Sequence, residues 1–215
     1  MRPSAGETEK PLRATGRPRL NLANRITMLR LVFAVVAFAF LLLIQEKAIA
    51  GSWRPVAAWI ALVFFVIATA SDALDGYLAR RDNTVTAFGR IADPVVDKAI
   101  VCGSLIFLTA IDETRAYLAP WMVVVILVRE FLVNGIRGYM ESIGVNFQAE
   151  LPGKVKMVVQ SLAIGFLIGI LAFEHDPAWL RVLTHVLVWS TIVLTFWSGI
   201  GYVAKALQSL GPRDL

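Results

Sequence analysis

Apolar residues occupy six long stretches of this 215-residue chain, and polar residues collect between them. A helix needs about 20 mostly apolar residues to cross the hydrocarbon core of a bilayer. Each stretch reaches that length, and the second to fourth carry charged residues at one end. The pattern predicts an all-α integral membrane protein with six transmembrane helices, over residues 26–44, 55–78, 87–111, 117–139, 152–173 and 178–207.

The segments outside these stretches are short. Residues 1–20 are rich in proline, glycine and arginine, a composition typical of a disordered tail. The first stretch is too long for the apolar core of a signal peptide, so we expect no cleavage there. The chain is therefore divided into a tail over residues 1–20, a six-helix transmembrane domain over 21–207 and a short C-terminal tail over 208–215.

The composition agrees with a lipid environment, because 57% of the residues are hydrophobic, 17% are charged and the mean hydropathy is +0.67. A soluble domain of this size could not bury so much apolar surface in one core. The single cysteine, Cys102, excludes an intramolecular disulfide and a thiolate metal cage, and we interpret it as a packing residue. The net charge of +5 comes without a basic stripe interleaved with aromatics, which favours an anionic membrane surface or substrate over nucleic acid.

Basic residues predict the orientation, since lysine and arginine beside short loops stay in the cytoplasm. Fourteen lie in the N-terminal tail, around the connections after the second and fourth stretches and at the C-terminal end, against four in the other connections. Both termini of this multi-pass protein of the cell membrane should therefore be cytoplasmic. Trp53, Trp121 and Trp179 fit an interfacial aromatic belt, and we interpret His175 and His185 as structural.

Four aspartates lie where the second stretch ends and the third begins, although a charge inside a membrane helix is costly and indicates function. Asp72 and Asp75 are three residues apart, and Asp93 and Asp97 are four apart. Both spacings place a pair on one helix face. In an antiparallel hairpin the two pairs would face each other and repel strongly unless a cation neutralised them.

Oxygen-only ligands favour Mg²⁺ or Mn²⁺ over Zn²⁺, and the four carboxylates have room for two ions. The alternative is that these carboxylates cap helix ends or pair with nearby basic residues, namely Arg80, Arg81, Arg90 and Lys98.

Residues between the aspartates favour a phosphate-containing ligand. Gly76 lets a substrate approach the backbone closely, and Ala79 extends this small-residue surface. Arg80, which we place at the start of a loop over residues 80–88, can clamp phosphate oxygens with two hydrogen bonds. Gly89 permits a tight turn before the third helix, and Pro94 suits the first turn of that helix.

Together these residues spell Asp72-x2-Asp75-Gly76-x2-Ala79-Arg80-x8-Gly89-x3-Asp93-x3-Asp97, which resembles the signature of the CDP-alcohol phosphatidyltransferase family at all eight defined positions. Residues 21–30, 128–137 and 153–156 further resemble segments of the phosphatidylglycerophosphate synthase branch. That branch usually has threonine where Met157 stands.

The resemblance implies a six-helix, homodimeric membrane enzyme with a polar cavity open to the cytoplasm and a lateral route for lipid. It would move the phosphatidyl group of CDP-diacylglycerol to glycerol 3-phosphate and release CMP. The metal ligands would be Asp72, Asp75, Asp93 and Asp97, and Asp97 would also be the general base. The donor would be contacted by Asn24, Thr27, Asp75, Gly76, Ala79, Arg80 and Gly89.

An acceptor that is itself a phosphate monoester needs a cationic pocket separate from the donor site. Arg129 and Arg137 are eight residues apart and share a helix face, and Lys154 and Lys156 begin the fifth stretch on the same side. We predict that these four bind the acceptor phosphate and that Glu130 orients an arginine. The alternative is that they are anchors whose charged ends reach the membrane interface.

Other functions remain open at this point. Within the family the acceptor could be phosphatidylglycerol, as in cardiolipin synthases, or inositol phosphate. Intramembrane prenyltransferases also use aspartate-rich motifs with Mg²⁺ but lack the glycine, alanine and arginine register found here. A divalent-cation carrier would need acidic residues deep in several helices, whereas these four lie near one face of the membrane.

Overall fold

A computed structural model describes the backbone of residues 22–49, 51–82, 87–144, 151–173 and 177–209, and the side chains of 26–49, 51–71, 94–144, 153–173 and 177–209. Within these ranges the chain forms helices and no strand, as the sequence predicts. The α-helices are α1 (Leu22–Gln45), α2 (Trp53–Asp82), α3 (Ala87–Ala110), α4 (Pro120–Ser142), α5 (Leu151–Ala172) and α6 (Ala178–Ser209), with a 3₁₀ turn at Asp112–Thr114.

The helices extend beyond several of the predicted apolar stretches. Helix α2 continues to Asp82, so the prediction that Arg80 begins a loop is wrong. Gly89 lies inside the first turn of α3 rather than in a turn before it, and Pro94 lies two turns into that helix rather than in its first turn. Hydrophobicity marks the part of a helix that lipid covers, whereas backbone hydrogen bonding continues into the polar interface.

The start of α4 also differs from the prediction. The fourth stretch was expected to become helical at Tyr117, but α4 begins at Pro120, with Ala119 in an extended conformation as its N-cap. Proline is favoured in the first turn of a helix because it lacks the N–H that would have no partner there. Its ring also disfavours helical geometry in the residue before it, which explains why the helix begins there.

Helices α1, α2, α5 and α6 are each long and apolar enough to cross a membrane. Among the described residues, α3 carries Asp97 and Lys98, and α4 carries Arg129, Glu130 and Arg137, within otherwise apolar helices. The chain is therefore a multi-pass membrane protein in which α3 and α4 carry charged residues between their ends, beside four helices with long apolar segments.

Small side chains bring the helices close together. Helix α1 packs most extensively on α2, and both helices bury alanines, which are Ala34 and Ala37 on α1 and Ala57, Ala58, Ala61 and Ala68 on α2. Helix α5 packs between α2 and α6, while α3 contacts α1 and α4. Small residues let helix backbones approach closely, which is how membrane helices gain packing energy without a hydrophobic effect between them.

Short connections make consecutive helices run in alternating directions. We call the end that holds the starts of α1, α3 and α5 the site end, and the other the opposite end. At the opposite end Arg54 forms an ion pair of 2.7 Å with Glu113, and Lys47 lies 3.6 Å from Asp112. Trp53, Trp121 and Trp179, at the starts of α2, α4 and α6, are all exposed there, as an interfacial belt requires.

Candidate active site

Arg30 and Asp97 join three helices at the site end. Arg30, on α1, is 2% exposed and donates from Nη2 to Oδ1 of Asp97 on α3. Its Nε donates to the carbonyl oxygen of Ala68 on α2 at 3.2 Å. Thr27, one turn earlier on α1, is also buried. The predicted catalytic carboxylate is therefore held by a cation that the sequence motifs did not single out.

The remaining motif residues lie where only the backbone is described. Asp72, Asp75, Gly76, Ala79 and Arg80 belong to the last third of α2. Gly89 and Asp93 belong to the first two turns of α3. Their side chains, and that of Asn24, lie outside the described residues, so their predicted roles stay predictions. The described backbone places the two halves of the motif on consecutive helices separated by residues 83–86.

A cavity of about 300 Å³ opens between α3, α4, α5 and α6 beside Asp97. It is lined by all four residues that we predict to bind the acceptor phosphate. These residues lie on two helices and span 28 positions of the sequence. Its polar and charged lining residues are Asp97, Lys98, Arg129, Glu130, Asn134, Arg137, Lys154, Lys156, Gln160 and Tyr202.

Glu130 is the anion that holds two of these cations. Its Oε1 accepts a hydrogen bond of 3.1 Å from Nη1 of Arg129 and another from Nζ of Lys156. Lys156 is 3% exposed and Glu130 16%. Glu130 thus orients an arginine, as the sequence predicts, and it also balances a lysine so deeply buried that it could not remain charged alone.

Tyr202 of α6 connects the two arginines. The guanidinium carbon of Arg129 lies 5.7 Å from the centre of the Tyr202 ring, within the range of a cation–π contact. The Tyr202 hydroxyl accepts a hydrogen bond of 3.3 Å from Nη2 of Arg137. One aromatic side chain therefore sets the positions of both guanidinium groups. Nothing in the sequence distinguishes it from an aromatic belt residue.

Three donors around this cavity are buried and make no hydrogen bond within the described part of the chain. They are Nε of Arg129, Nε of Arg137 and the amide nitrogen of Gln160. A buried donor without a partner costs about 1–3 kcal/mol, and such groups are rare in native proteins. All three residues line one cavity, and a ligand with oxygen atoms bound there would supply their partners.

A second, larger cavity of about 810 Å³ runs along α2, α3 and α5. Arg30 and Asp97 line its inner end, and Phe173 and Trp179 line the end towards the opposite side of the membrane. The rest of its lining is almost entirely apolar, and Gly165 and Gly169 of α5 also lie along it. Asp97 lines both cavities, so a carboxylate stands where a cationic pocket meets an apolar groove.

The sequence also led us to interpret the two histidines as structural and Cys102 as a packing residue. His185 lies near the opposite end, packs edge-on against Tyr117 and contacts the carbonyl oxygen of Arg181, which agrees with a structural role. His175 lies outside the described residues. Cys102 is buried, as expected for a packing residue, and also lines the smaller cavity.

Comparisons with known proteins identify relatives of this chain. The family model described as CDP-alcohol phosphatidyltransferase matches residues 20–197. The CDP-diacylglycerol–glycerol-3-phosphate 3-phosphatidyltransferase of Bacillus subtilis is 34% identical over 88% of this chain and 97% of its own length. A probable phosphatidylglycerophosphate synthase of Mycobacterium tuberculosis is 37% identical over 91% of this chain and 87% of its own. The Shigella flexneri enzyme with the same name as that of B. subtilis is 29% identical over 86% and 96%.

Proposed function

Because this chain belongs to the CDP-alcohol phosphatidyltransferase family, we propose that it transfers the phosphatidyl group of CDP-diacylglycerol to sn-glycerol 3-phosphate, releasing CMP. The relatives named for this reaction, which match this chain over most of its length, support the choice of both substrates. The observation that carries the proposal is the cationic cavity beside Asp97, because an acceptor that is itself a phosphate monoester needs such a pocket.

The acceptor phosphate occupies the smaller cavity. Arg129 and Arg137 surround it with permanent positive charge, Lys156 is kept charged by Glu130, and Lys154 also lines it. The unpartnered Nε groups of the two arginines would then donate to phosphate oxygens. Guanidinium groups suit this task because their planar set of donors matches the geometry of phosphate. The charge of the acceptor is thereby neutralised before it approaches the diphosphate of the donor.

The acyl part of the donor occupies the larger cavity. Its apolar walls suit a hydrocarbon chain, and Asp97 and Arg30 at its inner end bring the polar part of the lipid to the reaction site. The nucleotide is assigned to the predicted donor-binding residues on α1, α2 and α3, from Asn24 and Thr27 to Gly89. This arrangement supports a lateral route by which the donor enters from the bilayer.

The predicted metal ligands suit hard divalent ions, since all four are carboxylates that offer only oxygen. They form two pairs on consecutive helices, Asp72 with Asp75 and Asp93 with Asp97. Mg²⁺ bound by these residues, or Mn²⁺ in its place, would neutralise the diphosphate and the charge that develops on CMP. Two ions are expected. Among the described residues no group of three potential ligands occurs, and three of the four aspartates lie outside that set.

Asp97 takes the proton of the acceptor hydroxyl in this proposal. Its carboxylate lies where the two cavities meet, within reach of both substrates. The ion pair with Arg30 holds the carboxylate in a fixed orientation, as a general base requires. The deprotonated oxygen forms a bond to the β-phosphorus of the donor while the bond to the CMP oxygen breaks, in line with the attack.

The membrane architecture is part of the proposal. All six helices cross the bilayer, both termini are cytoplasmic, the site end faces the cytoplasm of the cell membrane and two copies form a homodimer. The excess of basic residues on that side and the charged cavity at that end support the orientation. Helices α3 and α4 can cross because their charges face the cavity rather than lipid.

The direct test is CMP release from CDP-diacylglycerol by the purified protein in detergent with Mg²⁺. Labelled glycerol 3-phosphate should give phosphatidylglycerophosphate, whereas phosphatidylglycerol and inositol phosphate should react much more slowly. Faster reaction with either of those would reassign the acceptor within the family. Lack of CMP release with every alcohol, together with metal flux in liposomes, would favour a cation carrier and overturn the proposal.

A further inference from the structure

Gln160 is a polar residue in an otherwise apolar helix, and we propose that it hydrogen-bonds the free hydroxyl group of the acceptor and so determines acceptor specificity. It is 2% exposed, lines the cationic cavity, and its amide nitrogen makes no hydrogen bond within the described part of the chain. This inference rests on the proposed function, because it names a contact to the acceptor of that reaction.

An amide is an expensive residue at this position. The segment Gly153–Ala172 has a mean hydropathy of 2.0, and an apolar side chain of the same size would fill the space without burying an unpaired donor. Polar side chains inside membrane proteins normally hydrogen-bond across helices, which Gln160 does not do among the described residues. An oxygen atom of a bound ligand would supply the missing partner.

The cationic groups gather towards the site end of the cavity. Arg137 lies five residues before the end of α4, and Lys154 and Lys156 lie in the first two turns of α5. Arg129 lies further from the site end along α4, but its guanidinium reaches towards Gly153. Nη2 of Arg129 is 3.9 Å from the position that a Cβ atom on Gly153 would take. The acceptor phosphate therefore belongs where these charged groups meet.

Gln160 lies deeper, at the level of the reacting group. It follows the start of α5 by nine residues, about 13 Å along the axis, and Asp97 follows the start of α3 by ten, about 15 Å. Both side chains line the same cavity. Glycerol 3-phosphate carries one hydroxyl that attacks the donor and a second on the carbon between it and the phosphate. An acceptor whose phosphate lies among the cations and whose attacking oxygen lies at Asp97 carries this second hydroxyl between them. It lies in the cavity that Gln160 lines and accepts a hydrogen bond from the amide nitrogen of that residue.

The test compares two acceptors that differ only in that hydroxyl. Glycerol 3-phosphate and 3-hydroxypropyl phosphate share the phosphate and the attacking hydroxyl, and only the first has the group that Gln160 would bind. The wild-type protein should prefer glycerol 3-phosphate by about 10- to 100-fold in kcat/KM. Gln160→Leu should reduce that preference to less than about threefold, mainly by slowing glycerol 3-phosphate. The control Gln208→Leu, on the exposed end of α6, should keep it.

Equal loss of rate with both acceptors in Gln160→Leu would overturn the proposal, since it would place the amide on the phosphate or in the packing. An unchanged preference would overturn it as well. If Gln160→Leu is inactive, the stabilisation of each protein by each acceptor decides the matter, because melting temperature reports binding without turnover. Gln160→Leu itself should melt no lower than the wild type. No CMP release by the wild type with either acceptor would instead refute the proposed function.

Discussion

Two carboxylates, one inside the helix bundle and one at the opposite end, each serve two cations, with very different surroundings. Glu130 accepts from Arg129 and Lys156, and these three side chains are 3–16% exposed. Asp112 lies 3.3 Å from Arg115 and 3.6 Å from Lys47, and these three are 60–82% exposed. The same pattern of charges therefore occurs once inside the membrane domain and once at its surface.

The difference shows what each cluster is for. Exposed ion pairs gain little, because water solvates the charges equally well when they are apart. Buried ion pairs rarely repay the loss of hydration, so hydrophobic residues in their place would often be as stable or more so. The exposed pairs around Asp112 lie in solvated turns. The buried pairs around Glu130 and Asp97 are retained because the cavity that they line has a chemical function.

The strongest test of this contrast is Asp97→Asn. Asparagine keeps the shape of the side chain and an oxygen that can accept from Arg30, but it cannot take a proton. We expect CMP release to fall by about 10²- to 10⁴-fold, the usual contribution of a general base. Binding of CDP-diacylglycerol, measured by its effect on melting temperature, should be largely retained. Asp112→Asn is the control, and near-normal turnover in Asp97→Asn would refute the assignment of the base.

Glu130→Gln should give the next largest effect, on stability. The substitution leaves Arg129 and Lys156 buried beside a neutral group, and removing one member of a buried charge cluster costs about 3–5 kcal/mol. In a chain of this size that is a melting temperature lower by about 6–20 °C. Asp112→Asn removes the matching carboxylate at the opposite end and should change melting by no more than about 1–2 °C. Equal shifts in the two variants would remove the distinction between the clusters.

Sequence reasoning predicted the helices and the family but only part of the site. Each predicted apolar stretch corresponds to a helix, because the thickness of the bilayer sets the number of apolar residues that a membrane helix needs. The four cationic residues could be proposed from position in the chain, because basic residues in otherwise apolar helices are unusual enough to notice. Their arrangement around one cavity depends on how α4 packs against α5 and α6, which periodicity does not encode.

Arg30, Gln160 and Tyr202 were not identified as site residues. Arg30 and Gln160 could have been identified from the sequence. Each is a polar residue within a mostly apolar stretch, and such residues indicate function, as they did for the aspartates. Arg30 was noticed only as part of a segment resembling the family. Tyr202 carried no such signal, because a tyrosine near the end of a membrane helix usually belongs to the interface.

Arg137→Ala should have a smaller, selective effect on catalysis. It removes a charged donor from the proposed phosphate site, which corresponds to about 1.5–3 kcal/mol, so the KM of glycerol 3-phosphate should rise about 10- to 100-fold. The KM of CDP-diacylglycerol should change far less. Tyr202→Phe removes only the hydroxyl that Arg137 contacts and keeps the ring near Arg129, so it should raise the same KM only a few-fold. Equal changes in both KM values for Arg137→Ala would contradict a separate acceptor pocket.

The smallest effect belongs to Glu113→Gln at the opposite end. The hydrogen bond from Arg54 lowers the pKa of Glu113 below its usual value of 4.5, although burial opposes this. A carboxyl group with a lowered pKa in the folded state adds stability above its unfolded pKa and loses it as the pH falls through the folded value. Glu113 is 45% exposed, so water screens the pair and the contribution at pH 7 should be under about 0.5 kcal/mol. The melting temperatures of wild type and variant should differ by about 1–2 °C at pH 7 and converge below pH 4. A difference at pH 7 as large as that of Glu130→Gln would show that exposure does not separate the two ends.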